Sequence, residues 1–289
     1  MNQPLPGTAR SGVAGRSGRV ALTARRAPDG CSYIARQHAT YPFHICRPHY
    51  VAGDPGGMAT LYLQSSAGGV FEHDRLAMEL TIDDGAALHV TSQGATIVHA
   101  MTGGEAHLAT ELSAGRHAIV ELLPEATILF PGARLELATV VRADETAVVC
   151  VGEAILAHDP EGGGAIFERF TSDIRFETAD GRTLAHDRQS VGGDAFRALA
   201  SDAARPFAGY AGIHLWAPRR DLVRLRSETA EALARLDGTY AGASILPGVC
   251  GLGIRILAND GVSLRRAWVT GWQVIHQVLF ATLPSPRRK

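Results

Sequence analysis

The repeated alternation of apolar and polar residues between about Val20 and Ser190 limits the fold more than any other feature of the chain. In RLAMELTIDDGAALHV, every second residue is apolar up to the turn at Asp-Asp-Gly, and the alternation then resumes. HLATELSAGRHAIVEL and TILFPGARLELATVV repeat this pattern, with turn signals roughly every 10 to 17 residues. A period of two is that of half-buried β-strands. The pattern predicts an all-β meander, sandwich or solenoid, and no sharp sequence repeat demonstrates a regular solenoid.

The last third of the chain changes to a helical period. APRRDLVRLRSETAEALARLDG and VSLRRAWVTGWQVIHQVLF each carry an apolar stripe at near-helical spacing, which predicts helices over about 218–237 and 264–280. Gly271 lies inside the second stripe, where glycine costs about 1 kcal/mol relative to alanine. We therefore expect a neighbouring element to approach closely there. PGVCGLGIRILAND, between the two helices, is predicted to be a strand.

The first 18 residues differ in composition from the rest. They are rich in Gly, Ser, Pro and Arg, and the first acidic residue is Asp29. A segment with so little apolar content cannot repay the entropy lost on ordering. We predict a disordered basic tail over residues 1–18 and a single β-rich domain over residues 19–289.

Charge and composition exclude several classes of protein. Lys plus Arg number 28 and Asp plus Glu number 29, so the formal net charge is -1, which argues against a nucleic-acid binder. No apolar run approaches the roughly 20 residues of a membrane span. The four cysteines form no C-x-x-C pair and are predicted to be free thiols: Cys31, Cys46, Cys150 and Cys250. These features predict a cytoplasmic protein with no membrane or nucleic-acid partner.

Histidines raise the question of a metal site, since the chain has 12 of them. FHICRPH contains two histidines and a cysteine, and two more histidines bracket the stretch HVTSQGATIVHA. Imidazole and thiolate are ligands for zinc, nickel or copper. One hypothesis is therefore a β-rich metal-dependent enzyme with a histidine cluster drawn from His44, His49, His89 and His99. The other interpretation is that these are ordinary surface or half-buried side chains. No common hydrolase, phosphate-binding or zinc-protease motif is present. A carbohydrate- or peptide-binding module is disfavoured because only 6% of residues are aromatic.

Three acidic residues interrupt otherwise apolar strand segments: Glu125, Glu136 and Glu153. An unpaired buried carboxylate is costly, so each must be exposed, paired, or beside a wet cavity. Exposure is the commonest outcome of strand alternation. Carboxylates along a water-filled passage would instead suit weak, mobile handling of a divalent cation.

The ordered series of segments resembles the urease accessory protein UreD (UreH) family. YPFHICRPHY, GGVFEHDRLAMELTIDDGAALHVTSQGATIVHA, LLPEATILFPGARLELAT, GEAIL, FERF and DGRTLAHDR follow in the family's order and at about its spacing. AWVTGWQVIHQVLF resembles the family's closing helix, so the resemblance runs from about Val20 to Pro284. It implies a β-solenoid or β-helix-like body of many short strands, with about two α-helices in the C-terminal third.

The resemblance also implies a function. Family members are non-enzymatic maturation factors that join the UreF and UreG accessory proteins to apo-urease. Nickel is expected to pass from UreG, a GTPase, through an internal tunnel to the urease active site. No tightly bound cofactor is then expected: Ni²⁺ would be in transit, and GTP would bind only the partner GTPase.

The family motifs match particular residues of this chain. The candidates for the nickel passage are Asp74, Thr91, Ser92, Gln93, Glu153 and Glu168. Glu125 lies in a matching element where a structural role is expected. The apolar stripe with Trp268 and Trp272 is predicted to bind a partner subunit.

Several positions depart from the family pattern, so this is a divergent member. Glu72-His73-Asp74 stands where Gly-Gly-Asp is usual, and Gly152 replaces the tryptophan before the acidic residue. Ala157-His158-Asp159 replaces a Leu-Gly-Arg turn, and the chain ends in SPRRK instead of Pro-Pro-Arg-Ile-Trp. The added histidines near Asp74 and at His158 either strengthen metal affinity locally or reflect sequence drift.

Overall fold

The chain folds into a mainly β structure with helices near its C-terminal end. A computed structural model describes residues 15–178, 180–199, 206–285 and 287. The strands are β1 (Ser17–Arg26), β2 (Ser32–Ala39), β3 (Phe43–Ile45), β4 (His49–Tyr50), β5 (Ala59–Ser65), β6 (Arg75–Ile82), β7 (Ala87–Ser92), β8 (Thr96–Val98), β9 (Ala106–Ala114), β10 (Ile119–Leu122), β11 (Thr127–Leu129), β12 (Arg134–Ala143), β13 (Val148–Ala157), β14 (Arg169–Thr178), β15 (Thr183–Gly192), β16 (Gly209–Trp216), β17 (Thr239–Ile245) and β18 (Gly251–Ala258). The helices are α1 (Gly193–Ala198), α2 (Leu222–Ala234) and α3 (Gly261–Phe280), with a 3₁₀ turn at Pro247–Val249.

The strands form two stacked sheets, and the chain passes back and forth between them. The first sheet has the order β15-β14-β12-β9-β6-β1-β2, and the second has the order β17-β18-β16-β13-β10-β7-β5-β3. From β6 to β14 consecutive long strands lie in alternate sheets, and neighbours within a sheet run parallel. The result is a β-solenoid of about 4 turns. Of the three predicted all-β architectures, the solenoid is confirmed.

The alternation in the sequence decides which residues fill the space between the sheets. Leu80 and Leu112 of the first sheet and Leu88 and Val120 of the second are almost completely buried in one cluster. Because successive side chains on a strand point to opposite faces, apolar residues two apart all face inward. Each turn of the solenoid covers the apolar row of the preceding turn.

The last strands and helices close one end of the solenoid. From β13 onward the second sheet continues antiparallel through β16, β18 and β17. Helices α2 and α3 pack on its outer face, where Ile213, Ile254 and Ile275 are buried. A Cβ atom on Gly271 would lie 3.3 Å from Ile213 Cδ1, which confirms the predicted close approach at this glycine.

The helices are confirmed, with shifted boundaries. The predicted 218–237 helix is shorter, because Asp221 caps its N-terminus by accepting a hydrogen bond from Arg224 N at 3.0 Å. The predicted 264–280 helix begins three residues earlier, after the Asp260 cap. Helix α1 was not predicted, since its six residues are too short to carry an amphipathic period.

The predicted N-terminal tail lies mostly outside the described residues. Residues 1–14 are not described, whereas Ser17 and Gly18 already belong to β1. The four cysteines are free, as expected. None of the helices in the described part of the chain combines the length and hydropathy that crossing a membrane requires.

Helix α3 packs closely against β13 at Gly152. A Cβ atom on Gly152 would lie 2.1 Å from Trp268 Cη2 and 2.8 Å from Leu123 Cδ2. Such distances are impossible without movement of the ring. Gly152 therefore leaves the space that the Trp268 ring fills.

We predict that Gly152→Ala lowers the free energy of unfolding by about 2 kcal/mol, because the new methyl group overpacks this contact. In the double variant with Trp268→Ala, the combined loss should be smaller than the sum of the two single losses. Urea unfolding measures all three. Gly242→Ala is the matched control, since in the described structure no atom lies within 4 Å of its Cβ position. Equal stability of Gly152→Ala and Gly242→Ala would contradict this packing.

Candidate functional site

Glu153 is a carboxylate buried between the two sheets. It lies on β13, and only 7% of the residue is exposed. Its Oε2 accepts a hydrogen bond from Ser172 Oγ at 2.5 Å, and its Oε1 accepts one from Gln189 Nε2 at 3.0 Å. Burial raises the pKa of Glu153, which makes it easier to protonate than an ordinary carboxyl group.

One cavity borders this carboxylate, and a second borders the residue that donates to it. A cavity of about 200 Å³ between the sheets is bordered by Glu153, Thr91 and Ser92. A second cavity, of about 680 Å³, is bordered by Gln189, the residue that donates to Glu153. Glu153 itself borders only the cavity between the sheets, and its donor Gln189 borders the second.

A third cavity lies under helix α3 and adjoins the first. Its volume is about 380 Å³, and it shares Thr91, Pro124, Glu125 and Ala154 with the 200 Å³ cavity. Polar groups that border only the cavity under the helix include His89 and Gln273. Polar oxygen and nitrogen groups thus follow one another from α3 into the space between the sheets.

The structure brings three of the predicted passage residues together. Thr91 is buried and its Oγ1 donates to the Leu123 carbonyl oxygen at 2.7 Å. Ser92 Oγ donates to the Gly94 carbonyl oxygen at 2.9 Å, and both residues border the same cavity as Glu153. Gln93 instead is exposed and accepts a hydrogen bond from the Gln64 amide at the surface.

Asp74 and Glu168 lie elsewhere. Asp74 is buried before β6, where it pairs with Arg16 and accepts a hydrogen bond from Phe71 N at 2.8 Å. Glu168 is half exposed and pairs with Arg134 Nη2 at 2.6 Å. Neither borders the three cavities described above. Their part in a nickel passage stays a prediction.

The other two strand carboxylates are paired. Glu125 borders the cavities, and its Oε2 accepts from Arg265 Nη1 at 2.7 Å. Glu136 lies on β12, and its Oε2 is 2.9 Å from His107 Nδ1. The three carboxylates thus differ in their environments. Glu125 and Glu136 form ion pairs, and of the three only Glu153 is almost fully buried.

The histidines proposed for a catalytic metal are dispersed. His44 and His49 are exposed on β3 and β4, and His99 stacks on Phe71 with ring centroids 4.4 Å apart. His89 is buried. Among the described residues, one group of three His, Cys, Asp or Glu side chains lies close enough together to hold a metal ion: Glu105, His107 and Glu136. This group is partly exposed and contains none of these four histidines. The structure therefore does not assemble the histidine cluster.

The tryptophans predicted to bind a partner subunit face the chain's own second sheet. Trp272 is 6% exposed, and the Trp268 ring rests on Gly152. The outer face of this sheet is apolar and needs cover, so α3 turns its aromatic stripe inward. Trp272 is therefore covered by the chain itself, and a part for Trp268 and Trp272 in partner binding stays a prediction.

A buried hydrogen-bond network that the sequence patterns did not predict lies beneath α3. Glu121 accepts from His89 Nδ1 at 2.7 Å, from Trp272 Nε1 at 3.0 Å and from His276 Nε2. Burial by itself would raise the pKa of Glu121, but the hydrogen bonds from His276 and His89 hold it well below its ordinary value. Glu121 interrupts the apolar segment AIVEL, the same signal that singled out Glu153, so it was available in the sequence.

Replacing Glu121 by alanine should destabilise the protein by about 4 kcal/mol, because three buried donors lose their acceptor. Denaturant unfolding followed by tryptophan fluorescence measures the loss. Glu145→Ala is the control: its pair with Arg219 is exposed, and such pairs contribute at most about 1 kcal/mol. A loss as small as that of the control would mean that the network does not hold α3 in place.

Asp74→Asn should cost about 2 kcal/mol at about pH 7, because the buried carboxylate loses charge-assisted hydrogen bonds. Burial opposes ionisation of Asp74, but Arg16 and the backbone N–H of Phe71 lower its pKa below the ordinary value. A carboxylate with a lowered pKa stabilises the folded state above its unfolded pKa and loses this contribution as pH falls. The difference from the parent protein should therefore shrink towards about pH 3. Asp194→Asn, at a 98% exposed side chain, is the control. A difference independent of pH would contradict the ion pair.

The fold and the site define a β-solenoid protein with carboxylate-bearing cavities between its sheets. Residues 16–289 match the family model described as UreD urease accessory protein. The chain belongs to this family, and its role lies in urease maturation.

Relatives in other bacteria cover nearly the whole chain. It is 35% identical over 277 residues to urease accessory protein UreD 1 of Pseudomonas syringae pv. syringae (strain B728a), covering 95% of each chain. It is 35% identical over 289 residues to urease accessory protein UreD 3 of Bradyrhizobium sp. (strain ORS 278), covering 100% of each. It is 33% identical to urease accessory protein UreD 1 of Methylorubrum extorquens (strain PA1), covering 99% of this chain and 97% of the relative.

Proposed function

We propose that the protein is a non-enzymatic scaffold that joins UreF-like and UreG-like accessory proteins to apo-urease and passes nickel through its interior. The observation that carries the proposal is the buried carboxylate of Glu153 on the wall of the cavity of about 200 Å³ between the sheets. A buried carboxylate is costly unless it meets a polar or cationic partner.

The chemistry of the cavity walls suits transfer better than storage. Thr91 and Ser92 provide hydroxyl groups, and Glu153 provides a carboxylate, on the wall of one cavity. Oxygen ligands of this kind hold nickel less firmly than a cage of thiolates and imidazoles. An ion in transit must leave as readily as it enters, so weak sites in series favour passage.

The partners follow from the family role. An accessory protein of urease maturation must meet urease, and a nickel carrier needs a donor. We assign GTP binding to the UreG-like partner alone, and Ni²⁺ is the cargo of this chain and not its resident cofactor. The protein would act in the cytoplasm, where urease is assembled.

Deleting the gene in its host should abolish most urease activity in medium without added nickel, because apo-urease then lacks its delivery route. In the deleted strain, Glu153→Leu should restore assembly of the accessory complex but leave urease with reduced nickel content. Elemental analysis of purified urease and co-purification of the partners measure the two effects.

The matched control is Glu145→Leu, which removes an exposed carboxylate outside the cavities and should leave nickel content unchanged. Full urease activity in the deleted strain would overturn the maturation role. Normal nickel in urease from the Glu153→Leu strain would overturn the interior route alone.

A further inference from the structure

The second sheet ends in a strand with a free edge. Among the described residues, β17 pairs only with β18 and is the last strand of this sheet. On such a strand, alternate backbone N–H and C=O groups point away from the neighbouring strand. These groups form a row that can pair with a further strand.

The other edge strands carry features that prevent such pairing. β2 contains Arg36, and β15 contains Asp187 and Arg188. The register of each of these two strands with its neighbour also shifts at one point, as at a β-bulge. β3, β4 and β8 are only two or three residues long. Charged side chains, bulges and short strands are the common means by which sheets avoid edge-to-edge association.

β17 has none of these features. Its sequence, TYAGASI, contains no charged residue and no proline. All seven of its residues pair with β18 in one unbroken register. Tyr240 on this strand is 72% exposed, although its ring is large and mostly apolar. A long, uncharged and regular edge of this kind is expected to be paired in the assembled protein.

The edge of β17 is complementary to a second copy of itself. Tyr240, Gly242 and Ser244 share the face of the strand that points away from the helices. Two copies that pair antiparallel must keep this face on the same side, and a pair centred on Gly242 uses all seven residues of both strands. Tyr240 of one copy then lies opposite Ser244 of the other and beside Gly242. These small residues leave room for the aromatic ring, and no like charges meet.

We propose that β17 pairs antiparallel with β17 of a second copy of this chain, so that the second sheets of the two copies form one continuous sheet. The dimer is two-fold symmetric, with the axis at Gly242, and the same surface of each copy contributes to the interface. The backbone groups of the free edge gain hydrogen bonds, and each exposed Tyr240 ring is covered by the other copy. The inference concerns the assembly of the chain and is independent of the interior route.

The first test joins the two copies covalently at the two-fold axis. The pairing sets residue 242 of each copy opposite the other, with Cα atoms about 4.5–5.5 Å apart, a separation that a disulfide spans. Gly242→Cys should therefore form a disulfide-linked dimer when the purified full-length chain is mildly oxidised. Non-reducing gel electrophoresis measures the linked fraction. The new side chain has room, since in the described structure nothing lies within 4 Å of the Cβ position.

Gly56→Cys is the matched control. Gly56 is exposed in the loop before β5, and within the described residues its Cβ position is equally open. This variant should give no more linked dimer than the parent chain. The parent is a necessary second control, because its free cysteines include the partly exposed Cys31 and Cys46.

The second test uses charge to distinguish self-pairing from other associations. Gly242→Lys sets two like charges opposite each other in the dimer and should weaken self-association about 10-fold or more. Gly242→Glu should do the same. An equimolar mixture of the two variants should restore the dimer, because a lysine then lies opposite a glutamate. Sedimentation velocity measures association, circular dichroism establishes that the variants are folded, and Gly56→Lys is the control that should stay dimeric.

The inference is overturned if the parent chain sediments as a monomer at about 100 µM, or if the mixture of Gly242→Lys and Gly242→Glu associates no better than either variant alone. It is also overturned if Gly242→Cys links no more than Gly56→Cys. A monomeric parent whose co-purification with an accessory protein is lost in Gly242→Lys would exclude self-pairing and assign the edge to a strand of that protein. The proposed function is tested separately, through the nickel content of urease in the Glu153→Leu strain.

Discussion

The structure depends on burying two rows of apolar side chains between parallel sheets. Each solenoid turn places one strand in each sheet, so a row such as Leu80 and Leu112 faces a row such as Leu88 and Val120. No single turn can shield its inner face, and stability comes from stacking the turns. A polar group on an inner face is therefore an exception, because the side chains around it are buried and apolar.

Glu153 is such an interruption, and the residues around it explain how it is tolerated. Ser172 and Gln189 donate to it from the first sheet, and the cavity that it borders leaves room for water or an ion. The outer face of the second sheet holds another buried carboxylate, Glu121, which accepts hydrogen bonds from His89 and from α3. Glu121 thus joins α3 to the second sheet, whereas Glu153 borders a cavity.

The β-rich class, the C-terminal helices and the interest of Glu153 could be predicted, because period-two alternation, the 3.6-residue stripe and a carboxylate in an apolar strand are local signals. The helix boundaries could not, since the caps at Asp221 and Asp260 depend on local backbone geometry. The sequence pattern also could not predict which surface the aromatic stripe of α3 packs against. An aromatic stripe predicts burial, and only packing decides whether the cover is the chain itself or a partner.

The sequence by itself determined which residues alternate, and hence which side chains share an inner face of a strand. It also determined family membership, through segments kept in order along nearly the whole chain. Only the tertiary structure decided which strands became neighbours. Glu153 and His214 are 61 positions apart along the numbering, and they meet because β13 and β16 pair in a register that sets Glu153 opposite Gly212. Register arises from the packing of whole sheets, so no local pattern contains it.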